Sequence, residues 1–156
     1  MSWRFFDGPV LAIESSCDET SASVLVGRKV LSNVVSSQID MHRKWGGVVP
    51  EAAARAHVEA IVPVIDEAVT VAGLRLQEVA AVCATNRPGL VGALSVGATA
   101  ARALSYALGV PTIGVHHLEG HLLSPLGVVG DALPQVLDPP FLSLIVSGGH
   151  TELIRV

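Results

Sequence analysis

Apolar residues fall in short runs over the first part of the chain and then switch to helical spacing. Val10–Glu14 is an apolar run that ends in the polar cluster Ser15-Ser16-Cys17-Asp18-Glu19-Thr20, and strand character resumes over Ser21–Val26. Gly27-Arg28-Lys29 reads as a turn before a third strand, Val30–Ser36. Three strands with tight connections predict an antiparallel meander. Gln38–Val49 is polar, contains Gly46-Gly47, and reads as a loop. From Pro50 the period changes, with Val58, Ile61, Val62, Ile65, Val69 and Ala72 at helical spacing. Pro50 suits a first turn, Glu51 sits at the positive end of the helix dipole, and Gly73 closes the helix. Pro63 is expected to bend it.

Val79–Thr85 is an unbroken apolar stretch of the kind buried on both faces of a sheet. Asn86-Arg87-Pro88-Gly89 leads into a second helix, stopped after Leu108 by Gly109 and Pro111. Gly92, Ala93, Gly97, Ala98, Ala100 and Ala101 keep that helix thin, so it packs close to its neighbours. Thr112–Val115 is a further strand, and a short helix starts near His117. The order β-β-β-α-β-α-β-α predicts three antiparallel strands extended by parallel ones through helical crossovers. This α/β plan resembles the ribonuclease-H-like lobe of the actin-like ATPase superfamily, a mixed sheet with helices on both faces. Leu144–Val156 then repeats the strand–turn–strand design of Leu11–Val24, with Ser15 and Ser147 132 positions apart. The expectation is a duplicated domain: a first lobe over 1–125, a linker over 126–140, and the first hairpin of a second lobe over 141–156. A lone hairpin is marginal in water, so the sequence reads as part of a longer protein.

Composition narrows the class. Of 156 residues, 50% are hydrophobic and 15% charged, which excludes a disordered chain. Mean hydropathy of +0.54 suits a lobe whose apolar surface is covered by a partner lobe. The formal charge is −4, and the ten Lys and Arg are scattered, so no basic stripe could hold a phosphate backbone unaided. Cys17 and Cys83 make no disulfide framework and suit a reducing compartment. The most apolar tract, Leu90–Ala101, is short for a bilayer. A soluble cytoplasmic protein, with no membrane partner, is expected.

His117-Leu118-Glu119-Gly120-His121 places two imidazoles at i and i+4, on one helical face and roughly 6 Å apart. That spacing suits two ligands of one metal, and equally a pair of surface or hydrogen-bonded histidines. At least one further ligand must come from elsewhere for a tight site. Zincin proteases need His-Glu-x-x-His; Glu119 stands two positions after His117, about 200° around the helix, which disfavours that chemistry. Ser147-Gly148-Gly149 is a turn whose amides can approach an anion, or a plain hairpin turn. Asp18 and Glu19 in the matching turn can hold a cation or a ligand, or be a solvated turn. In a duplicated plan the two turns face each other across a cleft. Cys17 has no neighbouring His in sequence to activate it, and Cys83 reads as core.

Together, Glu14-Ser15-Ser16-Cys17-Asp18-Glu19-Thr20, Gly46-Gly47-Val48-Val49-Pro50-Glu51, Pro88-Gly89-Leu90-Val91-Gly92-Ala93-Leu94, His116-His117-Leu118-Glu119-Gly120-His121 and Ser147-Gly148-Gly149-His150-Thr151 resemble the TsaD family, formerly called glycoprotease. The resemblance implies a tRNA N6-adenosine threonylcarbamoyltransferase with an actin-like fold. It would move a threonylcarbamoyl group from its adenylate to the adenosine 3′ of the anticodon in tRNAs reading ANN codons. By motif match, His117 and His121 would be ligands of one Fe²⁺ (or Zn²⁺). Ile145, Val146, Ser147, Gly148 and Gly149 would contact the adenylate, while Asp18 and Glu19 match acidic positions of the signature with a catalytic role near the cleft. Partners implied are tRNA, threonylcarbamoyl-adenylate, a TsaB-like paralogue and a TsaE-like ATPase. Arg87 departs from the family's Gly before Pro88-Gly89, and family chains continue beyond Val156 with a further Asp ligand. The piece alone is expected to be inactive. The rival readings are a non-catalytic TsaB-like scaffold, which lacks the two-His motif, and an actin-like kinase or ATPase.

Overall fold

The computed structural model describes residues 6–132, 137–146 and 151–156. Among these residues, six strands form one sheet, lying side by side in the order Thr112–His116, Ala81–Arg87, Pro9–Glu14, Glu19–Val26, Lys29–Ser37, Val128–Val129. The meander is β1 (Pro9–Glu14), β2 (Glu19–Val26) and β3 (Lys29–Ser37), each antiparallel to the next. The strand β4 (Ala81–Arg87) runs parallel to β1, and β5 (Thr112–His116) parallel to β4. Crossovers are made by α2 (Pro50–Val71) and α3 (Val91–Leu108), so the predicted topology is observed.

The pleat explains where the core lies. Leu11 and Ile13 of β1, their cross-strand partners Val24 and Ala22, and their parallel partners Val82 and Ala84 all point to one face. Ile61, Val64, Ile65, Ala68 and Val69 of α2 and Ala101 of α3 close over that face. Glycine on α3 is needed for this approach. A Cβ at Gly97 would overlap the Ser15 hydroxyl, and one at Gly92 would stand 3.1 Å from Ala54 Cβ. The opposite face carries Ala12, Ser21, Ser23 and Cys83, which line a shallow hollow with Gly120 of α4 (His117–Leu123).

Four expectations are revised or refined. First, Gln38–Val49 is not all loop: Ile39–Arg43 forms a short helix, α1. His42 and Gln38 are buried there, and the His42 Nε2–Gln38 Oε1 bond of 3.1 Å ties the helical turn together. Second, the first long helix, α2, runs from Pro50 to Val71 with Pro63 inside it. Third, the stretch 126–140 is not wholly linker, because β6 (Val128–Val129) pairs in parallel with Lys29 and Val30 of β3. Fourth, the apolar tract around Leu90 belongs to an 18-residue helix, long and apolar enough by composition to cross a membrane. Its Ala93, Gly97 and Ala101 are buried, and Val96, Ala100, Leu104 and Leu108 pack on the core cluster. One face of the helix is thus packed on the sheet, while 17% of the helix as a whole is buried among the described residues. A second sheet holds the predicted hairpin, β7 (Leu142–Val146) antiparallel to β8 (Thr151–Arg155).

Candidate functional site

The carboxyl ends of β1, β4 and β5 meet at one edge of the sheet, where an α/β architecture places its ligands. Each chain segment leaving that edge contributes to a cleft of about 800 Å³. Ser16 and Cys17 come from the β1–β2 turn, and Pro88, Gly89 and Leu90 from the β4–α3 loop. His117 and His121 of α4 and Ile145 and Val146 of β7 complete these walls. The two loops touch: Leu90 N donates to Ser16 O at 2.8 Å, and a Cβ at Gly89 would lie 2.6 Å from that same oxygen. Only glycine permits this approach.

α4 begins directly at the end of β5. His116 is its N-cap, and Nδ1 of His116 accepts from Leu118 N at 3.2 Å. The next turn brings His117 Nε2 to 3.1 Å from His121 Nε2, with the rings perpendicular (88°) and their centroids 4.5 Å apart. Two metal–nitrogen bonds of about 2.05 Å at a tetrahedral angle would separate the nitrogens by about 3.3 Å. The pair therefore fits a shared ion. Among the described residues, no cluster of three His, Cys, Asp or Glu groups could hold a metal, so these two imidazoles supply only part of a coordination sphere.

Behind the pair lies a carboxylate that sequence reasoning missed. Glu14 Oε2 is 3.3 Å from His117 Nδ1. The Thr85 hydroxyl donates to the same oxygen, and the Ser16 amide donates to Glu14 Oε1. Burial alone would raise the Glu14 pKa. Hydrogen bonds from the Ser16 and Thr85 hydroxyls, the Ser16 amide and His117 outweigh that and hold it below the ordinary carboxylate value. The available signal was the parallel pairing of β1 with β4. With Ile13 opposite Ala84, Glu14 and Thr85 become neighbours at adjoining strand ends.

The acidic turn stands differently. Asp18 is half-buried and Glu19 exposed at the start of β2; Ser16 and Cys17, rather than these two, line the cleft. The turn is fastened from behind. Gln38 N donates to Asp18 O at 2.9 Å, and fully buried His57 bridges Thr20 Oγ1 (2.7 Å) and Cys17 O (3.1 Å). Burial and the neighbouring Asp18 push the Cys17 thiol up, and burial pushes Cys83 up to about 11, so neither is an activated nucleophile. Glu119 is exposed and lies off the cleft wall that the two histidines form. Ser147, Gly148 and Gly149 lie outside the described residues.

The fold is shared with YeaZ from Pseudomonas aeruginosa, with a TM-score of 0.55 at 21% identity over 70% of this chain and 44% of that one. A second solved protein, described as similar to peptidase YEAZ from P. aeruginosa, gives 0.52 at 22% identity over 70% and 43%. In sequence, the chain is 54% identical over 148 residues to the tRNA N6-adenosine threonylcarbamoyltransferase of Clostridium perfringens, covering 94% of this chain and 42% of the relative. Against the enzyme of the same name from Anaeromyxobacter dehalogenans it is 56% identical over 146 residues, covering 92% and 42%. The chain thus spans about two fifths of the length of the curated relatives it matches. The TsaD family model, described as tRNA N6-adenosine threonylcarbamoyltransferase, matches residues 29–156, and with these relatives it establishes that the chain belongs to the TsaD family.

Proposed function

We propose that the protein acts in tRNA modification, transferring a threonylcarbamoyl group from threonylcarbamoyl-adenylate to N6 of the adenosine 3′ of the anticodon in tRNAs that read ANN codons. The observation that carries this reading is the imidazole pair of His117 and His121, 3.1 Å apart at the wall of a cleft in a TsaD-family chain. A non-catalytic TsaB-like scaffold would leave that pair without a role.

In this reading His117 and His121 hold one Fe²⁺ or Zn²⁺, with a third ligand drawn from the length that the relatives have beyond the matched part. When bound, the ion supplies a Lewis acid able to polarise the acyl carbonyl of the donor. The remaining work belongs to the chain. Ile145 and Val146 on the cleft wall, with the Ser147-Gly148-Gly149 motif that follows them in sequence, receive the adenylate. Ser16, Gly89 and Leu90 close the other wall, and their mutual contact keeps it from spreading. Asp18 and Glu19, next in the chain after Ser16 and Cys17 of the cleft wall, help to orient the incoming nucleoside. The N6 amine attacks the acyl carbon, the acyl–phosphate bond breaks with its electron pair going to AMP, and the amine's proton passes to solvent, with no covalent enzyme intermediate. The scattered cations and net charge of −4 leave tRNA docking to partners, for which a TsaB-like paralogue and a TsaE-like ATPase are the candidates.

The test is reconstitution with threonylcarbamoyl-adenylate and tRNA, read by mass spectrometry of nucleosides. This chain alone is expected to be inactive. A chimera in which it replaces the matched portion of the C. perfringens relative is expected to form threonylcarbamoyladenosine, and H117A in that chimera to abolish it. A folded chimera that binds tRNA but leaves it unmodified overturns the proposal.

A further inference from the structure

The Glu14 carboxylate has an unusual setting. It ends a core strand, its side chain is only 31% exposed, and its partners come from the β1–β2 turn, β4 and α4. An ionised carboxylate only accepts hydrogen bonds. With Glu14 Oε2 3.3 Å from His117 Nδ1, the hydrogen of a neutral His117 ring must therefore lie on Nδ1. The Ser16 hydroxyl, 3.2 Å from the same nitrogen, is compatible with this: its own hydrogen goes to Glu14, and its oxygen accepts. Nε2 is then left with its lone pair directed at His121.

We infer that Glu14 is a positioning residue that holds His117 in the Nδ1–H tautomer, presenting Nε2 as a preformed donor at the cleft wall. The inference deepens the metal reading above, since ligating histidines characteristically direct their second nitrogen to a carboxylate or carbonyl. Thr85 and Ser16 in turn fix the rotamer of Glu14. His121 carries the opposite tautomer in the metal-free chain, its Nε2–H donating to His117 Nε2 across 3.1 Å. Were an ion bound, Nε2 of both rings would hold it, and His121 would have to exchange its Nε2 proton through solvent for one on Nδ1.

Two-bond ¹H–¹⁵N correlation spectra of the metal-free 156-residue chain read the tautomers directly. Wild type is expected to show His117 as Nδ1–H. E14A is expected to shift it to Nε2–H or a mixture, whereas E14Q, whose amide oxygen still accepts, restores the wild-type pattern. Titration with Zn²⁺ alone is expected to show about 10- to 100-fold weaker binding in E14A than in wild type. Should E14A lose its fold, S16A serves in its place: it removes the rival partner of Nδ1 and leaves the carboxylate with its Thr85 and Ser16 amide bonds. The Nδ1–H form is therefore expected to persist, and its loss in S16A overturns the assignment. A wild-type His117 in the Nε2–H form, or an unchanged tautomer in folded E14A, overturns the assignment. Nδ1–H in wild type without Zn²⁺ binding still supports the assignment, because the metal reading takes its third ligand from outside this chain. Zn²⁺ titration of the chimera decides that reading, and no binding there overturns it.

Discussion

Replacing Gly97 by Ala sets helix propensity against packing, and the geometry decides the sign. In an exposed helix the change is worth about 0.8–1 kcal/mol in favour of Ala. Here the buried Ser15 hydroxyl donates to Ala93 O at 2.8 Å and accepts from Gly97 N at 3.1 Å. It thereby bridges an amide and a carbonyl that an α-helix pairs with each other. A Cβ at position 97 would overlap that oxygen and sit 3.4 Å from Ile13 Cγ2. Overpacking of this kind costs about 1–3 kcal/mol, and each lost buried hydrogen bond about 0.5–1.5. After the propensity gain, G97A is expected to destabilise by about 2–3 kcal/mol. S15A alone removes the oxygen but lets Gly97 N–H and Ala93 C=O pair, and is expected to cost about 1 kcal/mol. In S15A/G97A the overlap is gone, so the double variant is expected to recover at least 1 kcal/mol relative to the sum of the single changes. Urea unfolding followed by circular dichroism, with equal slopes required across the four proteins, measures the cycle. Additive effects, or a G97A protein as stable as wild type, would refute the claim that Ser15 occupies the space Gly97 leaves.

H57A strands Thr20 Oγ1 and Cys17 O in a buried site and opens a cavity, so a loss of about 3 kcal/mol in urea unfolding is expected, with H57Q retaining part of it. G89A forces apart the β1–β2 turn and the β4–α3 loop. A destabilisation of about 1–3 kcal/mol is expected, and fast exchange of the Leu90 amide, measured by hydrogen exchange, would report the broken bond to Ser16 O. Burial raises the Cys83 thiol from 9.0 to about 11. The unfolded chain ionises first as pH rises, so stability is expected to fall by about 1.4 kcal/mol per unit through that window. C83A is expected to flatten the slope of unfolding free energy against pH, and an unchanged slope would contradict the buried thiol's part in it.

Local periodicity was enough to read the meander, the crossover strands, α2, α3 and the hairpin, because pleat and helix impose their periods on the chain itself. The i, i+4 histidines were equally legible, since one helical turn fixes their separation whatever surrounds them. The helix Ile39–Arg43 was not: it depends on burying Gln38 and His42 against Ala53 and the Asp18 carbonyl, contacts that exist only after α2 has docked. Nor was β6, whose two residues are a strand only because Lys29 and Val30 offer an open edge. Glu14 shows the distinction most sharply. In sequence it is an acid closing an apolar run; parallel registry with β4 supplies Thr85, and the β5–α4 junction supplies His117, from 71 and 103 residues away. Spacing along the chain sets which side chains share a face, but only the crossing of distant strands decides which polar groups meet where water is thin and a hydrogen bond must be made.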